Sequence, residues 1–386
     1  MHTLKPALRR LLVLAAAVTV PVLAGVAPAY AASWQIVASP NSTSNDTLAG
    51  VTAFSPSNVW AVGYTTNLST VQGSLIEHYN GSSWSIVPSP NAVAGRANDL
   101  FSVAGTAPSD IWSVGFYQSS RAHTHPLVEH YNGSSWSLVS APQPAQMDGF
   151  ADVAPVTTTN VWAVGGGNTG TGITPPLVEH YDGSAWTVVP TSLTGPGWLN
   201  SIAAISASNI WAVGNIPAAG ALSHTGLVMH YDGSGWTQVT VPAPTASADW
   251  QLTDVTATSA SDVWAVGYGT SSSGSRQAIV EHYNGTSWSV TNIPQLSSGD
   301  SFGAVAAISP GNVWAIGTTS VNGQSAVLVE HFDGTSWSSQ PAPSQSGFTL
   351  GFNSLVSPGN NGTLWAVSGK YPTGTTNFQT VTALLS

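Results

Sequence analysis

Three carboxylates stand in matching frames along this chain, and a fourth lies one residue later. Asp46, Asp148 and Asp300 each lie five residues before a valine set among small residues (Val51, Val153 and Val305), and Asp99 lies four residues before Val103. Gathered at one opening, they would suit hydrogen bonding to the hydroxyls of a glycan, or acid–base work on one. An Asp at the start of a strand also does something simpler: its side chain sets the preceding turn. Trp198 and Trp250 add aromatic faces, since each lies outside the regular tryptophan series and beside a segment that reads as a loop. Indole next to Asp and Asn suits carbohydrate, whose C–H faces stack on the ring while its hydroxyls bond to the polar groups. Arg121 and Arg276 are unrepeated cations in the same kind of segment.

Other groups carry less chemistry. His123-Thr124-His125 has the spacing of two metal ligands without a fixed third, so no metal site is assigned, and no cofactor is expected. The pairs Glu77-His78, Glu129-His130, Glu179-His180, Glu281-His282 and Glu330-His331, with Met229-His230 in the remaining place, recur too regularly to form one active site. Neighbours on a strand point to opposite faces, so the two members of a pair cannot converge on one atom. The spacing predicts instead that a Glu of one repeat bonds to the His of the next, as a structural staple. No nucleophile, base and orienting residue can be assembled together. Cysteine is absent, which excludes disulfides, thiolate metal sites and cysteine nucleophiles.

What must position these residues is a repeat. The segment Val161-Trp162-Ala163-Val164-Gly165 returns in seven versions, with tryptophans at Trp60, Trp112, Trp162, Trp211, Trp264, Trp314 and Trp365, spaced 52, 50, 49, 53, 50 and 51 residues apart. A period near fifty with strand-like content implies a β-propeller. The first repeat reads as four strands, a (50–54), b (59–64), c (75–79) and d (84–87), separated by turn signals. Asn-Gly or Asp-Gly follows strand c in every complete repeat, as at Asn80-Gly81 and Asp182-Gly183, and predicts a two-residue hairpin with positive φ. Strand a is built of small residues that can crowd around an axis. Strand b is an apolar run of the kind buried on both faces.

The seventh repeat supplies strands a (352–356), b (364–367) and c (380–385) and then ends, while Ser33-Trp34-Gln35-Ile36-Val37 reads as the close of a repeat. The expected fold is therefore all-β over 32–386: a seven-bladed β-propeller of four-stranded antiparallel blades, closed by an N-terminal strand that completes the last blade. Length varies in the b-to-c and d-to-a segments, which share one face of a propeller. The carboxylates, loop tryptophans and arginines above all fall there.

The segment Val128-Glu129-His130-Tyr131-Asn132-Gly133-Ser134-Ser135-Trp136 resembles the Tyr-to-Trp part of a kelch repeat, and Gly165-Gly166 resembles the kelch double glycine. Two departures accompany it: only this repeat has both glycines, and Tyr131 and Trp136 stand one residue closer than is usual in kelch repeats. The hairpin also resembles the Asp-box of sialidase-type propellers, without its preceding serine. The resemblance over the whole mature chain is to bacterial secreted kelch-like proteins. The copper chemistry of the kelch-like galactose oxidases needs a cysteine, which this chain lacks. The arginine triad of sialidases would have to be Arg96, Arg121 and Arg276, whose neighbours do not match that pattern.

Lys5, Arg9 and Arg10 precede an apolar run over 11–23 and then Ala29-Tyr30-Ala31, which predicts a signal peptide over 1–31 and a secreted, extracellular protein. No other apolar run approaches the length of a membrane span, so no transmembrane segment is expected in the mature chain. Charged residues make up 6% of the sequence, far below the ~25% usual in globular domains, so Ser, Thr, Asn and Gly must keep it in solution. Beyond the leader only Arg96, Arg121, Arg276 and Lys370 stand against 17 Asp and Glu, a balance that excludes nucleic acid as a partner. The expectation is a monomeric binding or recognition module whose ligand is a polysaccharide or a protein. The alternatives are a glycan hydrolase or lyase using carboxylates of the loop face, and a structural envelope protein with a featureless face.

Overall fold

In the computed structural model, residues 33–386 are described apart from 43–44, 67–71, 171, 218–222, 245–246, 272, 360–361 and 374–376. The leader expected over 1–31 lies outside the described residues. Seven antiparallel four-stranded units follow one another. Blade one comprises strands a to d at Asp46–Ser55, Asn58–Thr66, Gln72–Tyr79 and Trp84–Ile86, and blades two to six repeat that order, with their a strands at Asn98–Ala107, Met147–Thr157, Trp198–Ser206, Ser247–Ser259 and Ser301–Ser309. Blade seven takes strand b from Leu364–Pro372, strand c from Gln379–Leu385 and strand d from Trp34–Val37, so that Trp34 pairs with Leu385 and Val37 with Thr382. The first strand of the domain thus completes the last blade, and no edge is left open at the seam. Its a strand differs from expectation: it is split into Phe348–Leu350 and Ser354–Val356. No helix of the described residues is long and apolar enough to cross a membrane.

Blades are bound to one another by aromatic rings. Trp60 of blade one lies 4.8 Å from the Tyr131 ring and 5.8 Å, edge-on, from Trp136 of blade two. Trp112, Trp162 and Trp211 repeat the trio with the next blade, Trp264 meets Phe332 and Trp337, and Trp365 of blade seven lies against Tyr79 and Trp84 of blade one. This corrects the expected Glu-to-His staple. Each histidine instead stacks on the strand-b tryptophan of its own blade at 3.9 to 4.4 Å, and its Nε2 meets an Asn or Asp at the start of strand b, as in His180 to Asn160 at 2.9 Å and His130 to Asp110 at 2.8 Å. The glutamates are fully buried. Glu77, Glu179 and Glu281 find no hydrogen-bond partner, and burial pushes each of these carboxyls up to about 8.

The c-to-d turn also differs from a two-residue hairpin. Tyr79 pairs with Trp84 across a four-residue loop, in which Asn80 Oδ1 accepts hydrogen bonds from the N–H groups of Ser82 and Ser83 at 3.0 and 3.1 Å. The side chain thus does the turning, while Gly81 takes φ 93°. Near the middle of strand a each of the first six blades shifts register, as between Leu48 and Gly50 or Phe150 and Asp152. Such a bulge re-aims the residues beside it, and here it turns them into the central channel.

Candidate ligand-binding face

Asp46, Asp148 and Asp300 open their a strands, and their carboxylates hold the loops that lead in. Ala145 N–H donates to Asp148 at 3.0 Å. Asp300 accepts from Leu296 N–H at 2.6 Å, Ser297 Oγ at 2.7 Å and Thr319 Oγ1 at 2.6 Å. Asp46 accepts from the amide and hydroxyl of Ser42. In blade two this place belongs to Asn98, which takes Ala92 N–H at 2.7 Å and donates to Arg96 O at 2.7 Å. All four side chains are buried. The structure therefore gives the carboxylate column the turn-setting role, and none of Asp46, Asp148 and Asp300 lines the channel. Asp99 is a separate case. It is buried at the blade-one interface beside Tyr64, its Oδ1 has no partner, and burial pushes its carboxyl up to about 7.

The two loop tryptophans divide. Trp250 is 4% exposed and packs into the core formed by Trp211, Val213 and Val228, so the expectation that it presents a face to ligand is corrected. It occupies the same frame as the clamping Asp residues, and its ring lies over Gly226 on strand c of the preceding blade, where an added Cβ would overlap it. Trp198 is half-buried. It lies over Gly166, where an added Cβ would overlap the indole, and this accounts for the double glycine of blade three. Gly165 is required separately, because a Cβ there would run into the strand-a carbonyl of Gly149.

This pairing recurs and was not read from the sequence. At the loop end of five interfaces, the residue four places after the strand-b tryptophan faces a residue of the next blade's strand a. Tyr64 meets Asp99, Phe116 meets Gly149, Gly166 meets Trp198, Asn215 donates to Gln251 at 3.3 Å, and Gly369 meets Thr47. At two of them a ring faces a glycine, Phe116 against Gly149 and Trp198 against Gly166, a complementarity between positions some 30 residues apart that only the register of the blades makes visible. Where Trp198 projects, a recess of about 370 Å³ opens, lined by its ring with Phe101, Phe116, Thr124, Met147 and Asn168.

The arginines are not brought together. Arg121 is exposed in the b-to-c turn of blade two, and Arg276 lies on blade five with its guanidinium 4.1 Å over the Tyr268 ring. His123 and His125 bond to Ser120 and Ser119 at 2.9 and 2.8 Å. Among the described residues no group of three or more His, Asp or Glu is placed to hold a metal ion.

Two further spaces complete the face. A cavity of about 560 Å³ sits over the closure seam, with walls from blade one (Asn45, Thr47, Tyr64, Thr66), blade six (Thr318, Ser325) and blade seven (Thr349 to Gly351, Asn353, Ser368, Gly369, Tyr371, Phe378). The channel itself, about 290 Å³, is belted by half-buried acids. Ser102 Oγ donates to Asp152 at 2.5 Å, and Ser201 Oγ lies 2.9 Å from Asp152 and 2.7 Å from Asp254. Asp254 also accepts Val305 N–H at 2.7 Å. A hydroxyl has one proton, so an arrangement in which Ser201 bonds to both acids is best satisfied when one of them is protonated. That fits Asp254, which burial pushes up to about 7. The belt stitches blades two to six together beneath the mouth.

No protein-family model and no curated protein matches the sequence. Solved structures match in fold. YCF48 bound to the D1 peptide aligns at 12% identity over 92% of this chain and 95% of that one, with a TM-score of 0.55. A polysaccharide lyase, ulvan lyase, bound to a glucuronic acid–sulfated rhamnose saccharide aligns at 9% identity over 88% and 94%, TM-score 0.56. Chaetomium thermophilum Sqt1 bound to the N-terminus of ribosomal protein L10 aligns at 11% identity over 89% and 88%, TM-score 0.51. At such identities the likeness shows the propeller fold and nothing finer.

Proposed function

We propose that the protein is a secreted or cell-surface binding module that takes a polysaccharide on the loop face of the propeller. One observation carries this reading: the loop face gathers unrepeated aromatic surface around the channel mouth. There Trp198, Phe101 and Phe116 line one recess, and Tyr64, Tyr371 and Phe378 line another. The opposite face carries the repeated short turns. Concave sites with aromatic walls and a few polar groups are the usual form of small-molecule sites, and hydroxyl-rich ligands fit the Ser, Thr and Asn that surround these rings. Neighbours of the same fold bind a saccharide or peptides, which leaves a protein ligand as the second reading.

The geometry does not favour catalysis by carboxylates of this face. Asp99 has the near-neutral carboxyl that proton transfer calls for, yet it is buried behind Tyr64. The clamping Asp residues are occupied by loop amides. A glycan array and polysaccharide pull-down with the mature protein test the proposal: binding to at least one glycan is expected, weakened tenfold or more in Trp198→Ala. Retention of peptides with no glycan bound would move the reading to a protein ligand.

A further inference from the structure

We infer that the cavity over the closure seam is a site for an uncharged sugar residue, and that the bound sugar ties the last blade to the first. The inference rests on the glycan-binding reading and adds to it a place, a ligand class and a consequence for the ring.

The ligand class follows from the walls. None of the side chains lining the cavity carries a formal charge. Lys370, whose neighbours Gly369 and Tyr371 are in the lining, turns its ammonium to Gln345 at 3.1 Å and over the Phe348 ring at 5.0 Å. A carboxylate or sulfate brought here would lose water without gaining a counter-charge, which is costly. A neutral pyranose meets the opposite situation. Tyr371 and Phe378 stand edge to face at 5.3 Å, and Phe378 is 40% exposed, an aromatic surface held at the cavity wall. Hydroxyls and amides around the rings supply donors and acceptors, and the volume of about 560 Å³ falls in the usual ~300–1,000 Å³ range for such sites.

The consequence for the ring follows from where the walls originate. Asn45 and Thr47 belong to the start of the domain, Tyr371 and Phe378 to its end, and only closure brings them together. The backbone already locks this point, since Phe378 N–H donates to Asn45 Oδ1 at 2.9 Å and Asp46 N–H donates to Phe378 O at 3.1 Å. A ligand that bridges both sides binds the closed ring and not the open one, so it stabilises closure in proportion to its occupancy.

The test compares neutral polysaccharides (mannan, laminarin, galactan) with acidic ones (alginate, polygalacturonate, heparin) by affinity electrophoresis and thermal melting. Wild type, Phe378→Ala, Ser325→Trp and Trp198→Ala are compared. Phe378→Ala keeps the backbone lock, and Ser325→Trp obstructs the cavity from an exposed position, so both should fold. Expected are retention by a neutral polysaccharide, a rise in melting temperature of several degrees at saturation, and at least tenfold loss of both effects in Phe378→Ala and Ser325→Trp. Neutral binding lost in Trp198→Ala but intact in the two seam variants would overturn the seam site while leaving the loop-face reading standing. Binding of acidic polymers alone would overturn the ligand class. No retention of any glycan would overturn the loop-face reading, and this inference with it.

Discussion

The two faces of the propeller are made from the same strands and differ in what each blade is free to change. On the turn face an Asn or Asp side chain closes every c-to-d loop over its own amides, and an Asn or Asp at the start of strand b meets the His Nε2 of the same blade in all six complete blades. A substitution there disturbs a bond that the neighbouring chain cannot replace. On the loop face the contact between blades changes in kind from one interface to the next: Phe116 opposite Gly149, Gly166 opposite Trp198 and a hydrogen bond from Asn215 to Gln251 all serve. One face repeats a single hydrogen-bond geometry, the other exchanges one packing solution for another, and variety collects where that exchange is allowed.

If that contrast is right, damage to the shared framework should unfold the protein regardless of ligand. The largest effect is expected from deleting 33–37. This removes the four pairs from Trp34–Leu385 to Val37–Thr382 and exposes an apolar strand edge. The mature protein so shortened should melt far lower and associate through the open edge, as read by calorimetry and light scattering. A monomer with unchanged melting would contradict closure by this strand. Next come Trp162→Ala and Trp250→Ala, each expected to cost about 3–5 kcal/mol by leaving a cavity. Equality of these two in chemical denaturation would place Trp250 with the framework, against its position beside a loop.

Trp250 also marks how far the sequence could be read. Period, strand order and closure were legible because each is enforced in every blade, and seven copies of a Val-Trp-Ala-Val-Gly-like segment average out the noise of any one. The site was not, because its residues are defined by register between blades. Asp46, Trp250 and Asp300 occupy one frame, yet the first and last clamp loops while the ring of Trp250 runs under the loop onto Gly226. Nothing local distinguishes it from Trp198, one frame later, which reaches the surface. The Glu-His pairs misled for a related reason: alternation correctly sent the two side chains apart, but the partner of each His was 19 to 21 residues back in its own blade, and the larger contact between blades was aromatic.

A smaller, pH-dependent effect sharpens the contrast within the framework. Glu179 and Glu281 are buried without partners, and burial pushes both carboxyls up to about 8. Their folded pKa exceeds the unfolded value, so the folded state binds more protons between about pH 4.5 and 8. Stability is then fully present near pH 4.5 and is lost as pH rises toward 8. Glu281→Gln replaces the acid with a neutral group of the same shape. It should leave melting unchanged at pH 4.5 and raise stability progressively as the pH approaches 8. A destabilised variant at both pH values would mean that the carboxylate form has a partner.

The smallest effect on stability is expected at the loop face itself. Trp198→Ala removes a half-buried ring that rests on Gly166 and lines a recess without closing the core. Because the ring is not enclosed, the loss should stay near 1 kcal/mol, well short of the cost of opening a buried cavity. Gly166→Ala separates the ring's position from its presence. The new Cβ overlaps the indole, so the ring must swing away from blade three while its chemistry is kept. If glycan is held by stacking on Trp198, both variants should weaken it, Trp198→Ala tenfold or more and Gly166→Ala by a smaller factor, with near-normal melting in each. Full binding in Trp198→Ala at normal stability would leave volume as the only role of this residue, and the loop face would then differ from the turn face in packing alone.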